Sequence, residues 1–131
     1  MKTETKLKVT DLMVGDWVRT KDGVFRVYQL PWCDNQIKLE CRGRIYNVDM
    51  EEVMPIEITG ALLTKNGFIY DEHYMRFTKG TLSLIPPHSS WKWTVSIQEY
   101  ECYNACILHI DYVHELQHAF KLFKYDNEIV L

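Results

Sequence analysis

The sequence has no run of the roughly 18 to 20 apolar residues that a membrane-spanning helix requires, and its opening, MKTETKLKV, has basic residues but no apolar centre of a secretory signal. The expectation is a cytoplasmic protein with no membrane partner. Cysteine is sparse. Cys33, Cys41, Cys102 and Cys106 would be reduced thiols in that compartment, and the C-x3-C of Cys102 and Cys106 lacks the second tight pair that a structural zinc site needs. Internal repeats and low-complexity segments are also absent. A dense basic patch is missing too: residues 1 to 48 hold nine Lys/Arg against six Asp/Glu, and residues 49 to 131 hold six against twelve. An excess of three in the first part falls short of a typical nucleic-acid binder, so that class stays an alternative, with Arg19, Lys21, Arg26, Arg42 and Arg44 as its residues.

What is present is an ordinary globular composition: 131 residues, 47% hydrophobic and 25% charged, enough for one compact domain or two very small ones. The first part reads as β. Apolar and polar residues alternate loosely on both sides of Lys21-Asp22-Gly23, where Asp-Gly favours a tight hairpin, which predicts strands near 16 to 20 and 24 to 30. Ile37, Leu39 and Cys41 alternate with Lys38, Glu40 and Arg42. A turn follows at Arg42-Gly43, and residues 45 to 48 lead back. Two hairpins in so short a span suggest a five-stranded barrel, and Asp11-Leu12-x-x-Gly15-Asp16-x-Val18 is similar in pattern to the opening loop of SH3-like barrels.

After Pro55, Thr59 can cap a short helix through Leu62 and Leu63 that stops at Asn66-Gly67. Strands are expected at 74 to 77 and 81 to 85 around Lys79-Gly80. Beyond Pro86-Pro87, Trp91, Trp93, Val95 and Ile97 alternate with polar residues, the most legible strand in the sequence. The two tryptophans are read as core rather than as a ligand platform. A last strand is expected at 105 to 110, with Asp111 as N-cap of a terminal helix over 112 to about 124. His73, His88 and His109 share no spacing and read as ordinary loop or strand residues.

The terminal helix contains H-E-x-x-H, as His114, Glu115 and His118. At about 100° per residue the two imidazoles lie within about 40° of each other, opposite the apolar side formed by Val113, Leu116, Phe120 and Phe123. In a zinc peptidase His114 and His118 would be metal ligands and Glu115 the general base that takes a proton from zinc-bound water. Such a site needs a third ligand. The extended form of the motif would put a histidine at position 124 and a glycine at 121, and both are lysine here. Asp126, Glu128 and the upstream His73 are the remaining donors. The alternative to a zinc site is a surface on which His114, Gln117 and Lys121 meet a partner.

Tyr112, Val113, His114, Leu116, Gln117 and Phe120, with the Val14-Gly15-Asp16-x-Val18 opening, Val53-x-Pro55-Ile56, and Leu62-Leu63 leading to Asn66-Gly67-Phe68, make the chain similar in order to a family of small uncharacterised proteins from Bacteroidetes genomes, phages and mobile elements. That family ends near Y-V-H-Q-L-Q-N. Glu115 stands here for its glutamine and His118 for its asparagine, so the resemblance implies a packing helix on which the zinc spelling arose by two substitutions. It also implies a non-enzymatic binding or accessory protein of phage or mobile-element type, with no cofactor and a protein partner. The resulting expectation is an α+β chain: an SH3-like β-barrel over 1 to 54, then a short helix, a second antiparallel sheet and a C-terminal amphipathic helix over 55 to 131, as two units or one.

Overall fold

The computed structural model describes residues 7–32, 34–87, 92–100, 103–122 and 128–131. The architecture is α+β, with two antiparallel sheets of four and five strands and a C-terminal helix. The chain divides into two compact units. One runs through Ile56 and includes Tyr112–His114, and the other is Glu57–Asp111 with the chain from Glu115 onward. The boundary therefore lies two residues later than the pattern suggests.

In the first unit, strands β1 (Trp17–Thr20), β2 (Gly23–Gln29), β3 (Gln36–Cys41) and β4 (Arg44–Asp49) pair in sequence order. Alternation decides which side is buried. Val18 stands opposite Phe25, Val27 opposite Leu39 and Ile37 opposite Val48, so these side chains share one face. With Leu12, Met50 and Val53 they form a core in which Val18, Ile37 and Leu39 have no exposed surface. Asp16 is equally buried. Its carboxylate accepts the N–H of Met13 at 2.7 Å and closes the turn that leads into β1.

Both hairpins fall where expected, but the turns differ in detail. Lys21 and Asp22 make the first, and Gly23, at φ +137°, is the first residue of β2 rather than the centre of the turn. Arg42 and Gly43 make the second, both at positive φ (+51° and +79°), as the tight turn that matches strand twist demands. After β4 a 3-10 turn, Met50–Glu52, leads to Met54, which exchanges both backbone hydrogen bonds with Arg19 at 2.8 and 2.9 Å. The expected fifth strand is thus one bridge, and the sheet is not closed because β1 and β4 do not pair among the described residues.

In the second unit the short helix α1 (Gly60–Lys65) has the expected caps: Thr59 Oγ1 accepts the Leu62 N–H at 3.1 Å, and Asn66 N–H returns to Leu62 and Leu63. The sheet runs β5 (Ile69–Asp71), β6 (Arg76–Lys79), β7 (Leu82–Ile85), β8 (Trp93–Tyr100) and β9 (Tyr103–Ile110). Register puts Tyr70, Phe77, Leu84, Val95 and Leu108 in one row across all five strands. Trp93 is buried on the same face and its ring lies 5.9 Å from that of Phe77, which makes it core as read from the sequence. Trp91, Cys33 and His88 fall outside the described residues.

Two differences from the sequence reading stand out here. β5 was not expected, and β6 begins two residues late because Tyr74 and Met75 belong to the turn, with Met75 at φ +54°. The last helix among the described residues is α2, Val113–Leu122.

Arg42 occupies a left-handed conformation at a cost of about 1 kcal/mol that asparagine tolerates better. Arg42→Asn is expected to raise unfolding stability by about 0.5–1 kcal/mol in urea denaturation. Leu39→Ala, which empties a fully buried site, is expected to lower it by about 2–5 kcal/mol in the same assay.

Candidate functional site

The H-E-x-x-H residues all lie in the first two turns of α2. The helix begins at Val113 rather than at an Asp111 cap, because the start is held another way: Glu115, the third helical residue, reaches back and accepts the N–H of Asp111 at 3.0 Å. A carboxylate in the first turn satisfies an otherwise unpaired backbone donor and complements the positive end of the helix dipole. The Asp111 carbonyl in turn accepts the N–H of Ile58 at 3.3 Å. Glu115 therefore has a task in folding at the start of α2.

His114 and His118 are one turn apart on one stripe, as spacing requires, yet their surroundings differ. His114 is only 3% exposed, and its ring stacks on Tyr112 with centroids 5.9 Å apart. The Val113 N–H beside it donates to Ile56 at 2.8 Å, so this first turn is enclosed with the first unit rather than turned to solvent. Of the residues of the expected surface, His114 is buried, Gln117 half-buried and Lys121 exposed. The apolar side follows the pattern, with Val113, Leu116, Ala119 and Phe120 buried and Phe120 stacked on Phe68 at 6.5 Å.

His118 instead lines a hollow of about 280 Å³ with Glu115, Ala119, Leu122, Leu108, His109 and Ile110. Sequence spacing gives no sign that His109 on β9 and His118 on α2 line one hollow. The His109 Nδ1 also lies 3.3 Å from Thr94 Oγ1 on β8.

The other candidate zinc donors are elsewhere. His73 sits exposed in the β5–β6 turn, edge-on to Tyr74, while Glu128 is exposed and Asp126 is outside the described residues. Among the described residues no group of three or more His, Cys, Asp or Glu is arranged to hold a metal ion. Cys41 is a free, half-buried thiol, and the side chains of Cys102 and Cys106 lie outside the description.

The basic residues of the first unit separate into two sets. Arg19 donates from Nε to the Pro55 carbonyl at 3.1 Å, and the Arg26 guanidinium lies over the Trp17 ring at 4.8 Å. Lys21, Arg42 and Arg44 are exposed at the two hairpin turns. No helix among the described residues is long and apolar enough to cross a membrane.

Scans against protein-family models, curated proteins and solved structures find no match to this chain.

Glu115→Gln keeps an acceptor for the Asp111 N–H and is expected to leave stability nearly unchanged, whereas Glu115→Ala loses about 1 kcal/mol. Urea denaturation of the two variants beside the parent checks this. A large loss in the glutamine variant would show that the negative charge, not the hydrogen bond, is what the position requires.

Proposed function

We propose that this chain is a non-enzymatic binding or accessory protein, of phage or mobile-element type as its family resemblance implies, acting in the cytoplasm on a protein partner. The observation that carries the reading is the exposure of large apolar side chains in neighbouring segments: Met13, Val14 and Trp32 in loops with Tyr28 near the end of β2 in the first unit, and Ile69 and Tyr70 on β5 with Tyr74 and Met75 in the turn that follows it in the second. Scattered exposed apolar residues are ordinary, but groups that share one loop region mark interaction surfaces.

The first unit is read as an SH3-like roll that stays open. Support comes from the meander of four strands, the 3-10 turn after β4, and the return of the chain at Met54 to pair with β1. The zinc reading loses ground at its first ligand, which must face the metal with its partner, while His114 is enclosed beside Tyr112.

The test pairs retention with hydrolysis. Immobilised full-length protein is expected to retain a protein partner from extract, and the free protein with zinc added is expected to cleave nothing in a peptide library. Elemental analysis of untagged protein should give the same zinc content for the parent and His118→Asn. No retention, together with zinc-dependent cleavage that Glu115→Gln abolishes, would end this reading in favour of the peptidase.

A further inference from the structure

A four-stranded meander sorts its connections by end. The β1–β2 and β3–β4 turns lie at one end of the sheet. The β2–β3 loop, the chain entering β1 and the chain leaving β4 lie at the other. This second end holds Met13, Val14, Tyr28 and Trp32, while the other exposed large apolar side chains of the unit, Val24, Ile45 and Tyr46, lie on β2 and β4 toward the tight turns. Trp32, in the β2–β3 loop, is 92% exposed, and Tyr28, Val14 and Met13 are each exposed as well. Backbone bonds hold these segments side by side: Gly15 N–H donates to Val27 O, and Val27 N–H to Asp16 O, both at 2.8 Å. Tyr28 follows at the point where the β2–β3 register shifts, which turns the strand locally.

The same end is acidic. Asp34 is in the loop with Trp32, and Asp49, Glu51 and Glu52 belong to the end of β4 and its 3-10 turn, all four exposed. The 3-10 turn is fastened to the loop by the Met50 N–H, which donates to Asn35 O at 2.8 Å, and Asp49 accepts from the Gln36 side chain at 3.3 Å. Lys8 and, further along β3, Lys38 are the nearby exposed cations by sequence and register.

We propose that this end of the first unit, centred on Trp32, docks a lysine- or arginine-rich segment of a partner protein. The inference rests on the binding reading above and names its surface and the chemistry of its partner. An exposed indole face attracts a guanidinium or ammonium group, the neighbouring carboxylates add charge complementarity, and Tyr28, Val14 and Met13 offer apolar surface for the methylene stems of such side chains. The sign of the charge argues against nucleic acid or an anionic membrane on this face, since four carboxylates would repel phosphate.

The test uses the full chain and a short fluorescent peptide rich in lysine and arginine, with a glutamate-substituted peptide as control, read by fluorescence anisotropy. The basic peptide is expected to bind saturably, more weakly as salt rises, and the acidic one not at all. Trp32→Ala should weaken binding by about tenfold or more. The double variant of Glu51→Gln and Glu52→Gln should weaken it several-fold, with the urea midpoint of each variant unchanged because these side chains are exposed. Equal binding by Trp32→Ala, equal binding of the acidic peptide, or no binding of the basic one would overturn the proposal. So would self-association without peptide that Arg42→Glu abolishes, because the patch would then receive the basic turns of a second copy. Absence of peptide binding beside a retained partner in extract would remove this surface alone, whereas zinc-dependent hydrolysis would remove the reading beneath it.

Discussion

The paired hydrogen bonds between Arg19 and Met54 set the shape of the first unit. Met54 joins the outer edge of β1, yet the chain arrives there from β4 on the opposite edge. In a flat sheet the crossing would span four strand spacings, about 19 Å. The connecting segment is four residues, Met50 to Val53, three of them in a 3-10 turn, and reaches only about 13 Å. The sheet must therefore curl until its two edges approach. Curling turns the face of Val18, Val27, Ile37 and Leu39 inward on itself and lets Leu12, Met50 and Val53 cap it, so a unit of some fifty residues encloses a core without a helix laid over its sheet. The Arg19 guanidinium reinforces the same junction through Pro55.

Which features were legible in the sequence follows from how local their causes are. The α1 caps at Thr59 and Asn66 and the Arg42-Gly43 turn depend on a few adjacent residues, and all three were readable. The Trp93 strand was readable because its alternation is clean. β5 was not, since three residues, two of them exposed, carry no period that could separate a strand from a loop. Its existence depends on β6 offering an edge, as Tyr70 pairs with Phe77 across the intervening turn. The late start of β6 has the same origin: Tyr74 is an excellent strand residue, but the turn is built around Asp71, whose carboxylate accepts the N–H groups of His73 and Tyr74.

The candidate site teaches a related lesson about helices. Spacing in H-E-x-x-H correctly puts His114 and His118 on one stripe, but a stripe is defined relative to the helix axis and not to what surrounds it. Periodicity assumes one buried side along the whole length. Here the first turn is enclosed more widely than the second, so His114 is buried while Lys121, at a similar angle two turns later, is exposed. The hollow beside His118 is also lined by His109, from the neighbouring strand β9. Glu115 was legible as an acid in the motif, but its hydrogen bond from the Asp111 N–H was not.

Net charge hides information in the same way. The basic excess of residues 1 to 48 suggests a mildly positive unit. A meander, however, sends its charges to different ends according to which connection holds them. Lys21, Arg42 and Arg44 sit in or beside the two tight turns and gather at one end. Asp34 in the longer loop gathers at the other, together with Asp49, Glu51 and Glu52, which lie beyond the segment where the charge count changes sign. The unit is thus polarised, and its largest exposed side chain, Trp32, stands at the acidic end. An indole so placed gains little for folding, since almost none of its surface leaves water. Under the proposed docking role, its energetic value would lie in what it desolvates on contact, and the carboxylates at the same end would favour a cationic group there.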